Sequence, residues 1–359
     1  MSKLKDQVTA TTRKYDVGSW IVPIISVITA MLVAAGLMLL QGLDPILAFR
    51  SLFTTAFGSS AGIAATLGKA TPLVLSGLAV TLGLRAGLFN IGVQGQLLTG
   101  ALASAWAGYA LTSLPPLVHI ALSLAFGFFF GALVGAVAGY LKAFRGVHEV
   151  ITTIMLNSIV MGIVDYLASH PFKEPDQALT RTPQILDSVR LPMVGNFPSG
   201  FFLSAALAFL IWWILGFTTT GFRFNTVGRN KFAAWYAGIS FKKTIFFAML
   251  FSGGIAGLGG AVETLGITYR FEPAFNLGLG FDGITIALLG RVHPIGIIPG
   301  AILIGGMRAG AANMQFDAGV APELVDLLLA MILFFVTAPL ISRFFKNSAN
   351  RSLTGGWGN

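Results

Sequence analysis

Apolar stretches of about 20 residues recur through most of this chain. Each is long enough to cross roughly 30 Å of hydrocarbon as a helix. Polar residues are concentrated in the connections. A membrane barrel would instead alternate apolar and polar positions in segments of about ten residues. We therefore predict an all-α, polytopic membrane protein with about ten membrane elements, some of them short or broken. Their approximate bounds are 20–40, 66–84, 90–111, 117–141, 150–168, 201–217, 244–267, 278–290, 295–313 and 323–342.

The basic residues lie mainly in the connections. Placing the N-terminus in the cytoplasm puts most lysines and arginines on the inner side, as the positive-inside rule requires. We predict cytoplasmic tails over 1–19 and 343–359, and a single transmembrane domain over 20–342. Residues 169–199 form a predicted external loop. Residues 218–243 form a predicted cytoplasmic loop whose centre, "NKFAAWYAGI", has a short helical pattern.

The order of the elements indicates an inverted repeat of elements 2–5 and 7–10, which start on opposite sides of the membrane. Each half has a glycine-rich element with polar residues, "LFNIGVQGQ" in the first and "LGLGFDGITIALLG" in the second. Inverted repeats with broken helices near the midplane are a common transporter design. A separate set of glycines, spaced by four on one helix face, predicts close helix packing: Gly127, Gly131, Gly135 and Gly139.

The composition argues against an enzyme and against metal or nucleotide binding. The chain has no cysteine, and no two of its four histidines are four residues apart, as the helical zinc-binding motif of metalloproteases requires. "GIAATLGKAT" fails as a phosphate-binding loop, because five residues separate Gly62 from Gly68 and Ala70 follows Lys69. The net charge of +9 is explained by topology and does not indicate nucleic-acid binding. We predict no cofactor and no metal on this chain.

Polar residues inside the predicted helices carry the functional signal. A charge near the bilayer centre costs about 3 kcal/mol on insertion scales, so it usually faces a bundle interior or a cavity. The alternative role is interhelical hydrogen bonding, worth about 0.6 kcal/mol per bond. Asn90, Gln94 and Gln96 stand out because amides that both donate and accept suit a neutral solute better than an ion. We predict a substrate pathway that contains Asn90, Gln94, Gln96, Phe89, Asn157, Glu263, Phe281 and Asp282.

Phe89 and Phe281 belong to this set because their rings suit stacking on a flat solute. Core packing or contact with lipid is the commoner role of phenylalanine in a chain that has 30 of them. Both roles stay open at the level of the sequence.

Four segments occur in an order and spacing that resemble a known family: "RAGLFNIGVQGQLLTGALASAWAG", "GYLKAFRGVHEVITTIMLN", "GRNKFAAWYAGI" and "GFDGITIALLGRVHPIG". Over roughly residues 60–340 the chain is similar to the permease subunits of ABC importers for nucleosides and simple sugars, within the ribose and branched-chain amino acid permease superfamily. The resemblance implies a bacterial cytoplasmic membrane protein. It also implies three partners: a second permease chain, often a paralogue; a cytoplasmic ATPase that carries ATP and Mg²⁺; and an extracellular substrate-binding lipoprotein.

The resemblance also assigns the cytoplasmic segment that couples the permease to the ATPase. The matching residues are Gly228, Arg229, Asn230, Ala233, Ala234, Tyr236, Ala237, Gly238 and Ile239. The chain departs from the broader permease signature at Phe232, where an acidic residue is expected, and at Val292, where relatives tend to have a polar residue. These departures put an acid-mediated contact and the local gating or substrate contacts in question, but not the docking.

The leading hypothesis is a permease subunit of an ATP-driven importer of nucleosides. A simple-sugar permease is the nearest alternative. An ion-coupled secondary carrier, with Glu263 or Asp282 as the coupling group, and a channel are further alternatives.

Overall fold

Helices make up nearly all of the regular structure in the computed structural model of this chain, which describes residues 21–273, 278–321 and 323–337. The two predicted tails lie outside these residues. The helices are α1 (Ile21–Leu40), α2 (Pro45–Phe57), α3 (Ser60–Arg85), α4 (Val93–Ala110), α5 (Pro116–Arg145), α6 (Glu149–Ser169), α7 (Ser199–Phe217), α8 (Thr219–Arg229), α9 (Lys231–Tyr236), α10 (Phe241–Glu263), α11 (Leu279–Leu289), α12 (Ile297–Ala318) and α13 (residues 323–337).

The predicted all-α membrane architecture is confirmed, whereas the predicted element count is only approximate. Within the described ranges, seven helices are long and apolar enough to cross a membrane, and α2 and α11 are shorter apolar helices. The sequence interpretation left residues 41–65 without an element and so missed α2. This helix is too short to register as a span, but its start is well defined: Pro45 follows Asp44, whose side chain accepts hydrogen bonds from Ile46 and Leu47.

The helices pack reciprocally across the two predicted halves. α10 packs on α4 and α5, and α3 packs on α11 and α12. The first helix of each half therefore lies on the second and third helices of the other half. This exchange is the packing expected of the predicted inverted repeat, and it places α3 and α10 in contact at the centre.

Glycines bring α5 and α10 into backbone contact. A Cβ built at Gly131 would lie 2.5 Å from the carbonyl oxygen of Gly253, and one built at Gly135 would lie 2.4 Å from that of Met249. No side chain larger than hydrogen fits at such distances. The close packing predicted from the four-residue glycine spacing is confirmed.

The connection between α6 and α7 is fixed on the turn that follows α10. α10 continues as a π-helical turn, Thr264–Thr268. The backbone N–H groups of Thr182, Ile185 and Leu191 donate to the carbonyls of Phe271 (3.0 Å), Tyr269 (2.9 Å) and Leu265 (2.9 Å). A two-stranded hairpin, β1 (Met193–Val194) and β2 (Phe197–Pro198), completes the connection. The predicted external loop is therefore a folded cap on the end of α10.

Candidate functional site

The chain leaves helical structure between α3 and α4. Gly87 has a left-handed φ of 76°, which glycine adopts without steric cost. The Leu88 N–H then donates to the carbonyl of Gly83, and α4 begins at Val93 rather than at position 90. Loop 86–92 is therefore a break between two helices, and its backbone groups need partners inside the protein.

Asn90 supplies one of those partners and also bonds two neighbouring side chains. Its Nδ2 donates to Gln96 Oε1 (2.9 Å) and to Ser252 Oγ (2.8 Å), and its Oδ1 accepts from the N–H of Gly92 (3.0 Å). Ser252 lies on α10 and in turn donates to the carbonyl of Ala79 on α3 (2.6 Å). Asn90 thus connects the loop to α4 and, through Ser252, to the central helices α3 and α10.

Asn157 and Gln94 fix the start of α4 from two other sides. Asn157, on α6, accepts from the N–H of Gly95 (2.9 Å) and donates to the carbonyl of Ile91 (2.9 Å). Gln94 Oε1 accepts from the N–H of Gly280 at the start of α11 (2.7 Å). The two glycine-rich elements predicted from the repeat therefore meet end to end, because Gly280 has no side chain to separate them.

The four predicted pathway amides are all buried in this structure, with 5% or less of each residue exposed. The hydrogen bonds above show what they do here: they hold a broken helix in place. Direct contact of Asn90, Gln94, Gln96 or Asn157 with a solute stays a prediction.

The two predicted pathway phenylalanines lie differently from the amides. Phe281, in the first turn of α11, is 44% exposed, and Phe89 is half-buried while its neighbours Leu88 and Asn90 are buried. These rings are therefore more accessible than the side chains of the amide network.

Asp282 belongs to an ion cluster that joins three helices. Arg308 on α12 donates through Nε to Asp282 Oδ2 on α11 (2.9 Å) and through Nη2 to Asp326 Oδ1 on α13 (3.3 Å). The Asp326 side chain is 66% exposed, whereas that of Asp282 is 13% exposed. Sequence reasoning missed Arg308 and Asp326 as functional candidates, although an arginine within an apolar helix was a usable signal.

Glu263 ends α10 at the π-helical turn and is 2% exposed. Its Oε2 has no hydrogen-bond partner among the residues that the structure describes, and the charge that acts on it is that of Lys69 on α3. π-turns inside helices often occur at functional sites. A role of Glu263 in the pathway stays a prediction.

The predicted coupling segment contains the short helix that its sequence indicated. Asn230 caps α9 by accepting from the N–H groups of Phe232 (2.9 Å) and Ala233 (3.1 Å). Ala234 is buried, and Gly238 ends the turn with a left-handed φ of 71°. Three aromatic side chains remain well exposed on this helix: Phe232 (66%), Trp235 (71%) and Tyr236 (84%).

The other predicted coupling residues lie in α9 or beside it. Arg229, Ala233, Ala237 and Gly238 are exposed, and Ile239 is half-buried with its N–H bonded to the carbonyl of Ala234 (2.9 Å). The contact of this segment with an ATPase stays a prediction. No cluster of potential metal ligands occurs in the part of the chain that the structure describes.

Comparison with known proteins shows which family this architecture belongs to. The model of a family described as "branched-chain amino acid transport system / permease component" matches residues 62–337. The chain belongs to this permease family. It is therefore a multi-pass membrane protein of the ABC permease type, and the match includes both the amide network and the coupling segment.

Curated relatives of this permease differ in what they carry. The guanosine ABC transporter permease protein NupP of Bacillus subtilis is 39% identical, over 90% of this chain and 94% of its own length. The nucleoside ABC transporter permease protein NupB of Lactococcus lactis is 36% identical, over 89% and 91%. The glucose ABC transporter permease protein TsgB13 of Haloferax volcanii is 31% identical, over 90% and 88%. Membership of the family alone therefore does not fix the substrate.

Proposed function

We propose that this permease forms the membrane pathway of an ATP-driven importer of nucleosides. The observation that carries the proposal is the similarity, along nine-tenths of the chain, to NupP and NupB, whose names specify guanosine and nucleosides. The accessible rings of Phe89 and Phe281 give the site surfaces on which a flat base can stack.

The pathway in this proposal has a support and a lining. The support is the buried network of Asn90, Gln94, Gln96 and Asn157, which orients the start of α4 against α11. The lining includes Phe89, Phe281 and the partly exposed carboxylate of Asp282. Glu263 is buried like the amides and joins the lining only after the helices move. Movement of α4 relative to α11 exposes the amides, whose donors and acceptors match the hydroxyl and base groups of a nucleoside.

The coupling segment docks on a cytoplasmic ATPase, which carries ATP and Mg²⁺. Exposed aromatic side chains are the type of residue that dominates binding energy at protein interfaces, and α9 presents three of them. Phe232 stands where the broader family has an acid, so apolar burial replaces an acid-mediated contact. In this orientation both termini are cytoplasmic, and the cap formed by residues 169–199 faces the extracellular binding lipoprotein.

A second permease chain completes the pathway. The partly exposed cluster of Asp282, Arg308 and Asp326 supports this, because ions on a membrane helix are unfavourable against lipid and require protein or water. We propose that this partner is a paralogue rather than a copy.

Simple-sugar import is the second candidate, favoured by the 31% identity to TsgB13. Competition separates the two. Cells that express the complete complex take up labelled guanosine, and we expect excess unlabelled nucleosides to abolish this uptake while excess glucose or ribose leaves it unchanged. Absence of guanosine uptake, together with uptake of labelled glucose or ribose by the same cells, would replace the first candidate with the second.

A further inference from the structure

The end of α3 makes two contacts with distant parts of the chain. Arg85 Nε donates to the carbonyl of Val292, 207 residues away, with a distance of 2.9 Å. Two residues later, Gly87 contacts Gly228, the first residue of the coupling segment. The turn Arg85–Gly87 therefore lies between the cytoplasmic segment and the two broken elements of the membrane domain.

The contact between Gly87 and Gly228 is one of backbone on backbone. A Cβ built at Gly228 would lie 2.3 Å from the carbonyl oxygen of Arg85 and 2.8 Å from the nitrogen of Gly87. A Cβ built at Gly87 would lie 2.9 Å from Gly228 Cα. Because no flexible side chain lies between them, a shift of Gly228 displaces the turn directly.

The contact between Arg85 and Val292 reaches the end of α11. Arg291 and Val292 both have left-handed φ values, 57° and 56°, and a β-branched residue rarely adopts this conformation. The N–H of Val292 bonds to the carbonyl of Ala287 (2.7 Å), so α11 ends in this strained turn. Beside it, burial and the charge of Arg85 lower the pKa of His293, which favours the neutral imidazole.

The turn Arg85–Gly87 also leads into the start of α4. Gly87 lies in loop 86–92, and the side chains of Asn90 and Asn157 hydrogen-bond backbone groups of this loop. Gln94 then joins α4 to the start of α11. One turn thus contacts α4 through the chain itself and α11 through a hydrogen bond at its strained end.

We propose that Arg85–Gly87 is the transmission contact of this permease: it passes displacement of the coupling segment to α4 and α11. The proposal rests on the proposed docking of the ATPase at α9. It assigns Arg85, Gly87 and Gly228 as positioning residues that act through α4 and α11, and Val292 as the acceptor that links Arg85 to α11.

Three variants test the proposal in the complete reconstituted complex. Gly228→Ala forces the backbones apart, and Gly216→Ala is its control, because a Cβ at this other helical glycine meets nothing within 4 Å. Arg85→Lys keeps the charge and removes the Nε donor to Val292, with a smaller risk of misfolding. Gly87→Ala is a third variant, and Gly146→Ala controls for its backbone strain, since Gly146 has a similar φ of 72° in open space.

Copurification of the ATPase, basal ATP hydrolysis, nucleoside-stimulated hydrolysis and uptake are measured for each variant. We expect Arg85→Lys and Gly87→Ala to retain the ATPase and basal hydrolysis but to lose about tenfold in stimulated hydrolysis and uptake, a size typical of mutations that disturb coupling between sites. Gly228→Ala, which lies in the coupling segment itself, should show the same loss of stimulated hydrolysis and uptake. The controls stay within about twofold of the unaltered complex.

Two results would contradict the proposal, and a third would contradict the proposed function on which it rests. Normal stimulation and uptake in Arg85→Lys and Gly228→Ala would overturn the proposal. Loss of ATPase copurification in Arg85→Lys or Gly87→Ala would overturn it too, because the contact would then serve docking. If the unaltered permease copurifies no ATPase, the proposed function itself fails, which is a different result from either.

Discussion

Asn90→Ala should destabilise the protein more than a single buried amide normally does. The substitution removes the acceptor of the Gly92 N–H and the partners of both the oxygen and the nitrogen of the Gln96 amide. At about 0.6–1 kcal/mol for each lost partnership, the free energy of unfolding falls by about 2–3 kcal/mol. The Ser252 hydroxyl keeps its own acceptor, the carbonyl of Ala79, so it adds little.

The assay is unfolding of the purified permease in mild detergent on titration with a denaturing detergent. Asn225→Ala is the matched control, because the Asn225 amide donates one hydrogen bond, to the carbonyl of Leu215 (3.0 Å). We expect Asn225→Ala to lower the free energy of unfolding by about 0.6 kcal/mol. The double variant Asn90→Ala/Gln96→Ala should lose less unfolding free energy than the two single variants lose in sum, because the two amides are each other's partners.

Uptake by the same variants separates a supporting role from a direct one. If Asn90→Ala is no less stable than Asn225→Ala and yet abolishes uptake, Asn90 contacts solute and the assignment of the network as a support is wrong. If stability falls as expected and the remaining folded complex keeps its apparent affinity for nucleoside, Asn90 acts as a support, and the proposed match of its exposed amide to nucleoside groups is wrong.

Other substitutions give equally direct tests. Arg308→Ala leaves Asp282 without its ion-pair partner and should lower the free energy of unfolding by about 3 kcal/mol, with partial recovery in the double variant with Asp282→Asn. No recovery would show that the arginine acts by another route. Trp235→Ala should leave stability unchanged, since the side chain is 71% exposed. It should weaken ATPase copurification about 30-fold. Full copurification would show that α9 is not part of the interface. Gly131→Val should lower the free energy of unfolding by about 1–3 kcal/mol through clash with α10, whereas Gly162→Val, in open space, should not; equal effects would refute the packing argument.

Local patterns made much of the fold predictable. Apolar runs predicted the long helices, and glycines four residues apart predicted the contact of α5 with α10, because both signals depend on residues close in sequence. The short helix α9 was indicated by its own pattern, and the Asn230 cap explains why it starts where it does. By contrast, α2 was missed because a 13-residue helix packed on α12 has no span-length signal.

The candidate site was only half predictable. The sequence located the amides correctly as an unusual cluster, but their partners lie far away: Ser252 is 162 residues from Asn90, and Gly280 is 186 residues from Gln94. Such pairs are set by how the helices pack, which residue spacing does not reveal. For the same reason the reach of Arg85 to Val292 and the cluster around Arg308 emerged only from the structure.

The most direct test of the account is nucleoside accumulation by proteoliposomes that contain this permease, its partner permease and the ATPase, with the binding lipoprotein outside and ATP within. We predict accumulation that requires ATP hydrolysis and that disappears when this permease is omitted. Accumulation by this permease alone, without ATP, would contradict the account and identify a carrier or a channel instead.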